Sequence, residues 1–226
     1  MAAATPSSCS DATRRTWREA RRDPEARASR GTVATAHCVR PRGSRDLRAR
    51  PRRAVDGLGG LDIVAATAGL FAPQEELEED VDAARRLLTV NFAHTVVFCE
   101  EARKRLLAGG GGTLCVFSSV AGERGRKPVA IYGASKAGLT RYLEALDHKF
   151  RAAGLRTVCV KPGFVKTGMT AGLDPPPFAG EPDDVARRVL KAIDRGTPVV
   201  YAPGVWRWIM LVIRMLPRFV MRRIGF

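Results

Sequence analysis

Thr113-Leu-Cys-Val-Phe117 and Arg156-Thr-Val-Cys-Val160 are two almost wholly apolar runs, and the segment between them carries Leu139, Leu143, Leu146 and Phe150 at i, i+4, i+7 and i+11. A strand with one wet face alternates polar and apolar residues, whereas a continuous apolar run is covered on both sides. The leucine spacing is that of one apolar helix face, closed by Gly154. The stretch therefore reads strand, helix, strand, with the strands parallel. Working outward, Leu61-Asp-Ile-Val-Ala-Ala-Thr67 predicts another buried strand ending at Ala68-Gly69. Glu75 to Leu88 predicts a helix that is acidic first and basic last, as the helix dipole favours. Phe92 to Leu107 predicts a second helix, stopped by Gly109 to Gly112. Pro182 opens a further helix with Asp183 and Asp184 in its first turn, Arg195-Gly196 closes it, and Pro198-Val-Val-Tyr201 is a last short strand. Apolar strands alternating with helices of this length predict an α/β fold, a doubly wound parallel sheet covered on both faces.

The ends differ from this middle. Of the 226 residues, those up to Arg53 include 14 arginines, no lysine and five acids, an excess of +9 within a total of +15. From Trp206 onward there are five arginines and no acid. Residues 1–53 hold few large apolar side chains and no helical or strand period, so they cannot offset their ordering entropy by burial. They are read as disordered, or as the product of a wrong start or frame, ahead of a catalytic domain at 54–204 and a basic amphipathic helix at 205–226. An organelle leader is disfavoured by the five acids, and a nucleic-acid arm by the lack of stacking aromatics apart from Trp17. The five cysteines form no C-x-x-C pair and have no histidine at ligand spacing, which predicts a reduced, cytoplasmic setting without a metal site. No run reaches the roughly 18 apolar residues of a membrane span.

Tyr132-Gly-Ala-Ser-Lys136 puts a phenol and an ammonium four residues apart on one helix face. A free phenol has a pKa of about 10, and a nearby cation is expected to lower it toward useful acid-base chemistry. Taken alone, Y-x-x-x-K is common. Thirteen residues upstream, Ser118-Ser119 ends a buried strand, at the carboxyl edge where α/β sheets bind ligands. A hydroxyl there could polarise a substrate oxygen, although a serine after a strand is more often a turn or cap. Asn91 stands near a helix start, where an N-cap is the plain alternative. Lys161-Pro-Gly-Phe-Val-Lys-Thr167 follows the next strand, and Gly163 there would permit close backbone approach to a ligand.

Taken together, these residues resemble the short-chain dehydrogenase/reductase family, from about Arg53 to the C-terminus. The resemblance implies a Rossmann-like fold and NAD or NADP as cofactor. It implies Tyr132 as catalytic acid/base, Lys136 as its pKa modulator and a ribose ligand, Ser119 as the polariser of the substrate carbonyl, and Asn91 as the anchor of a relay water. Thr67, Ala68 and Gly69, with Pro162, Gly163, Val165 and Thr167, match cofactor-lining segments. Two features depart from the family. Ala66-Thr67-Ala68-Gly69 stands where Asn-Asn-Ala-Gly is usual, and no G-x-x-x-G-x-G turn precedes Ala54, so the N-terminal strands look missing or degraded. The strand at Leu61 would then be an exposed apolar edge. Family members commonly pair through the helices after Asn91 and Tyr132, which implies a homo-oligomer.

The tail from Trp206 to Phe226 places Arg207, Arg214, Arg218 and Arg222 on one stripe beside Trp, Ile, Met and Phe, with Pro217 as a bend. That pattern suits an interfacial helix on anionic lipid at the inner membrane face. The tail and the Ser118–Arg126 segment are similar to a bacterial subgroup that includes a decaprenyl-phosphoryl 2-keto-pentose reductase. The expected activity is hydride transfer between NAD(P)H and a ketone or secondary alcohol, a small molecule or a lipid-linked sugar. The competing reading is an inactive family fragment serving as a membrane-surface or protein-binding module.

Overall fold

The computed structural model describes residues 60–170, 172 and 174–225, so the readings of residues 1–53 fall outside the described residues. Four strands form one parallel sheet in the order β1 (Ile63–Ala66), β2 (Gly112–Phe117), β3 (Leu155–Pro162) and β4 (Val199–Ala202). Helices join them as the sequence pattern requires: α1 (Gln74–Glu79), α2 (Val81–Leu88) and α3 (Thr95–Ala108) before β2, α4 (Ala130–Phe150) before β3, and α5 (Pro182–Arg195) before β4. Two short helices, α6 (Trp206–Met215) and α7 (Arg218–Arg223), follow.

The middle of the sheet is covered on both sides. Cys99, Ala102 and Leu106 of α3 and Leu139, Leu143 and Leu146 of α4 pack on Leu114, Val116, Leu155 and Cys159. Val185, Val189, Ala192 and Ile193 of α5 pack on Cys115, Val158 and Val160 from the other side. The alternation along β2 and β3 explains why both strands read as continuous apolar runs. Cys99, Cys115 and Cys159 are free thiols buried in these layers. Among the described residues no group of His, Cys, Asp and Glu could hold a metal, and no helix is long and apolar enough to cross a membrane.

Three boundaries differ from the sequence expectation, each for a local reason. The helix expected from Glu75 to Leu88 is split at Asp80, whose Oδ1 accepts from the backbone N–H of Asp82 and Ala83 at 2.9 Å and caps a new helix. The break expected between Leu88 and Phe92 is instead a π-helical turn, Thr89–His94, so α2 runs on into α3 without leaving helical backbone. Thr95 Oγ1 donates to Val90 O at 3.0 Å, five residues back, and so satisfies a carbonyl that the wider turn displaces. Finally, the tail is not one bent helix. Leu216 and Pro217 adopt extended ψ values of 130° and 154° and divide it into α6 and α7.

At the other end of the strands, Gly112 opens β2 with φ 148°, and a Cβ there would lie 2.6 Å from Asp62 O. Only glycine lets β2 start this close to the chain entering β1. β1 carries Ile63 at 51% exposure, and among the described residues only β2 pairs with it. Whether a further strand covers that edge falls to residues outside the described ones.

Leu143 is fully buried between α4 and the sheet. Leu143→Ala should cost about 2–5 kcal/mol through lost burial and a residual cavity. Guanidinium unfolding should show a lower midpoint with an unchanged slope.

Candidate active site

The candidate groups gather at the carboxyl ends of β1, β2 and β3. Ser119 follows β2 in extended backbone (φ −168°, ψ 156°), and its Oγ accepts from Ala121 N at 3.1 Å, starting the one-turn 3₁₀ helix Val120–Gly122. Ser118, by contrast, turns inward: its Oγ bonds Lys136 O at 2.9 Å and Thr140 Oγ1 at 2.7 Å. One of the two adjacent serines ties the strand to α4, and the other faces the site.

Contact between the Ser119 turn and α4 is backbone on backbone. A Cβ on Gly122 would sit 2.7 Å from Ala137 N and from Lys136 C, and one on Gly133 would sit 2.8 Å from Ala121 O. This approach brings the Ser119 hydroxyl beside the Tyr132 side chain, inside the first turn of α4, close enough to favour the charged form of the phenol.

Tyr132 and Lys136 share a helix face, but their electrostatics differ from the simple expectation. Burial raises the Tyr132 pKa above its ordinary value, and the Ser119 hydroxyl only pulls part of the way back. The Lys136 ammonium turns toward the sheet, donating to Phe117 O at 3.0 Å, with Nζ 5.8 Å from the phenol ring centroid. It is 96% withdrawn from solvent (4% exposed), and burial lowers its pKa to about 8. The expected acidification of the phenol by this ammonium is therefore not what the site shows. Desolvation works against the charged form of both groups.

Asn91 is fully buried in the π-helical turn, not at a helix start, so it caps nothing. Its Oδ1 accepts from Leu70 N at 2.7 Å, and its Nδ2 donates to Leu70 O at 2.9 Å and Ser135 Oγ at 3.3 Å. Both amide protons are thus engaged in clamping the segment after β1 onto α4. The clamp has two products. Gly69 comes so close that a Cβ would lie 3.4 Å from Lys136 Nζ and 3.5 Å from Asn91 Oδ1. Phe71 meets Tyr132 edge to face, with ring centroids 5.2 Å apart. Nothing in the sequence pattern around Phe71 marks it as a support for the phenol.

Thr67 and Ala68 are exposed beside this clamp, and Thr167 is exposed beyond β3, while Pro162, Gly163 and Val165 are half-buried. Gly163 does permit close approach, but to a side chain of this chain. A Cβ there would fall 2.0 Å from Trp206 Nε1. Lys136 carries three N–H donors, and Phe117 O takes one, which leaves donors for a hydroxyl-bearing ligand. In that respect the residues present fit the ribose of a dinucleotide.

The sequence reading also missed Glu123, four residues after Ser119. Its side chain is 4% exposed. One oxygen pairs with buried Lys161, and the other accepts from Tyr201 OH at 3.2 Å and Arg214 Nη1 at 3.1 Å. Burial by itself would raise its pKa, but these donors hold it below the usual carboxylate value. Glu123 thereby joins the Ser119 turn to β3, β4 and α6. A separate hollow of about 320 Å³, lined by Glu123, Thr140, Glu144, Asp147, Lys161 and Arg214 among others, contains neither Ser119 nor Tyr132.

The family model described as short chain dehydrogenase matches residues 23–176. An uncharacterised oxidoreductase of Mycobacterium tuberculosis is 33% identical over 165 residues, covering 73% of this chain and 66% of its own. Carbonyl reductase family member 4 of Xenopus tropicalis is 31% identical over 143 residues, covering 60% and 61%. The matched part of the chain thus spans under two thirds of the length of these relatives. Among solved structures, a short chain dehydrogenase from Burkholderia cenocepacia in complex with NADP superposes with a TM-score of 0.69 at 24% identity. That superposition covers 80% of this chain and 76% of the other, and it shows the fold.

Lys136 also gives a pH signature. Its folded pKa of about 8 lies below the 10.5 of a free lysine, so between these values the unfolded chain holds the proton that the folded chain has lost. Stability should therefore rise with pH across that window. Relative to Lys136→Met, the parent protein should gain on the order of 2 kcal/mol between about pH 7 and about pH 10 in urea unfolding. A constant difference between the two would contradict the burial of a titrating ammonium.

Proposed function

This chain belongs to the short-chain dehydrogenase family, and on that premise we propose that it transfers a hydride between NAD or NADP and a ketone or secondary alcohol. The observation that carries the reading is the meeting of the Ser119 hydroxyl and the Tyr132 phenol at the carboxyl edge of the sheet, where glycine contacts seat the Ser119 turn on α4, with the buried Lys136 ammonium 5.8 Å from the phenol ring. When bound, the nicotinamide supplies or receives the hydride. Ser119 donates to the substrate oxygen as negative charge builds on it. Tyr132, which burial favours in its protonated form, delivers that proton to the oxygen in reduction and is left as phenolate; in oxidation the phenolate takes the alcohol proton back. The remaining donors of Lys136 would hold a ribose hydroxyl of the cofactor. Asn91 acts by holding Leu70, and with it Gly69 and Phe71, against the two catalytic side chains. Thr67, Ala68, Gly69, Pro162, Gly163, Val165 and Thr167 border the cofactor. The NADP bound by the Burkholderia cenocepacia relative supports a phosphorylated cofactor as one of the two options.

A narrower reading takes the substrate to be lipid-linked, with the enzyme at an anionic membrane face. What favours it is the arginine-rich α6–α7 pair lying on the loop between Ser119 and Tyr132. Arg124 donates to Leu216 O at 2.7 Å, and Lys127 donates to Arg222 O at 2.7 Å.

Tyr132→Phe removes the proton donor and keeps the ring against Phe71. Turnover of a ketone panel with NADPH should fall by about a thousandfold, while NADPH fluorescence titration should show nearly unchanged affinity. Turnover equal to that of the parent protein would reject the assignment.

A further inference from the structure

We propose that the outward face of the α6–α7 pair is a docking surface for an anionic lipid bilayer. It rests on the oxidoreductase reading for its purpose but not for its geometry or its test. The sequence pattern alone set four arginines on one stripe beside Trp, Ile, Met and Phe, and did not say which apolar residues meet the domain. The structure decides it. Met210 and Ile213 are buried with Val120, and Trp206, Ile209 and Met221 pack around them.

The surface left outward is a second apolar stripe. Trp208, Leu211, Val212 and Met215 are 64%, 40%, 61% and 77% exposed, and Phe219 of α7 is 62% exposed. On α6 these residues sit at i, i+3, i+4 and i+7, within an arc of about 100° at 3.6 residues per turn. A helix that is apolar toward the core and again toward solvent needs a second apolar environment. The charge beside the stripe indicates which one. Arg207, Arg218, Arg222 and Arg223 are all exposed, and the segment from Trp206 to Phe226 contains no acid. Arg214 is tied back to Glu123 and so anchors α6 to the domain.

Four guanidinium groups without a salt bridge among the described residues disfavour close packing of this face on an identical copy, because like charges would meet. They suit a surface of lipid phosphates, where apolar side chains enter the acyl boundary while arginines remain at the headgroups. Arg124 and Lys127 fasten the two helices to the loop that leads from Ser119 to Tyr132. A bilayer on the stripe would therefore bear on the segment that links the two reacting groups.

The test is flotation of the full chain with vesicles of equal phosphatidylglycerol and phosphatidylcholine, compared with vesicles of phosphatidylcholine alone. Binding to the anionic vesicles should be at least about tenfold tighter and should weaken at high salt. Two variants separate the contributions. Leu211→Gln with Met215→Gln should lose flotation, and Arg218→Gln with Arg222→Gln should lose the lipid preference. All four positions are exposed, so both variants should keep the parent melting temperature. No flotation, flotation indifferent to lipid charge, or flotation unchanged in the Gln variants would overturn the proposal. So would a dimer in size-exclusion chromatography that the Leu211/Met215 variant abolishes. None of these readouts involves turnover, so loss of the hydride-transfer reading would leave them standing.

Discussion

The catalytic edge depends on two backbones touching with no side chain between them. Gly122 lies against the Lys136–Ala137 peptide, and Gly133 lies against Ala121 O, both at distances that any Cβ would violate. The strand end bearing Ser119 and the helix bearing Tyr132 are thus set by steric contact, which is stiffer than a hydrogen bond between flexible side chains. The Ser118 hydroxyl, bonded to Lys136 O and Thr140 Oγ1, fixes the same junction from the inside. Had either glycine been larger, β2 and α4 would separate, and a hydroxyl and a phenol thirteen residues apart in sequence would not meet.

Much of this architecture was legible because burial leaves a period in the sequence. β2 and β3 lie between two helical layers, so their apolar runs had no wet face to interrupt them. Leu139, Leu143 and Leu146 marked the buried face of α4 for the same reason. The helix at Pro182–Arg195 carries proline at its start, aspartates in its first turn and glycine at its end, and its bounds match those read from the sequence. The grouping of Ser119, Tyr132, Lys136 and Asn91 at one edge was also foreseen.

What escaped was whatever depends on a side chain's choice of partner. Whether Asn91 caps a helix or clamps Leu70 is decided by a π-helical turn that has no recognised pattern. Asp80 divides a helix that its flanking charges join. Glu123 has nothing in its own neighbourhood to show that Lys161, Tyr201 and Arg214 converge on it from 38, 78 and 91 residues away. The tail is the clearest instance. With apolar residues on two faces of α6, periodicity cannot say which face meets the domain, and only the buried Met210 and Ile213 decide it.

The electrostatics of the site follow from the same burial. A phenol and an ammonium on one helix face would, in water, help each other ionise. Here the low-dielectric edge that aligns them penalises charge on both, and the lysine spends a donor on Phe117 O. In the proposed reaction, a proton thus kept on oxygen suits Tyr132 to giving it up to an alkoxide rather than to holding a resting negative charge. The Ser119 hydroxyl beside the phenol would stabilise that charge at the moment it forms. Preorganised donors that need not reorient during reaction are the efficient way to lower such a barrier. A site of this kind works only if the serine turn stays fixed. Glu123, buried at the far end of that turn and pinned by two cations and a phenol, supplies that rigidity.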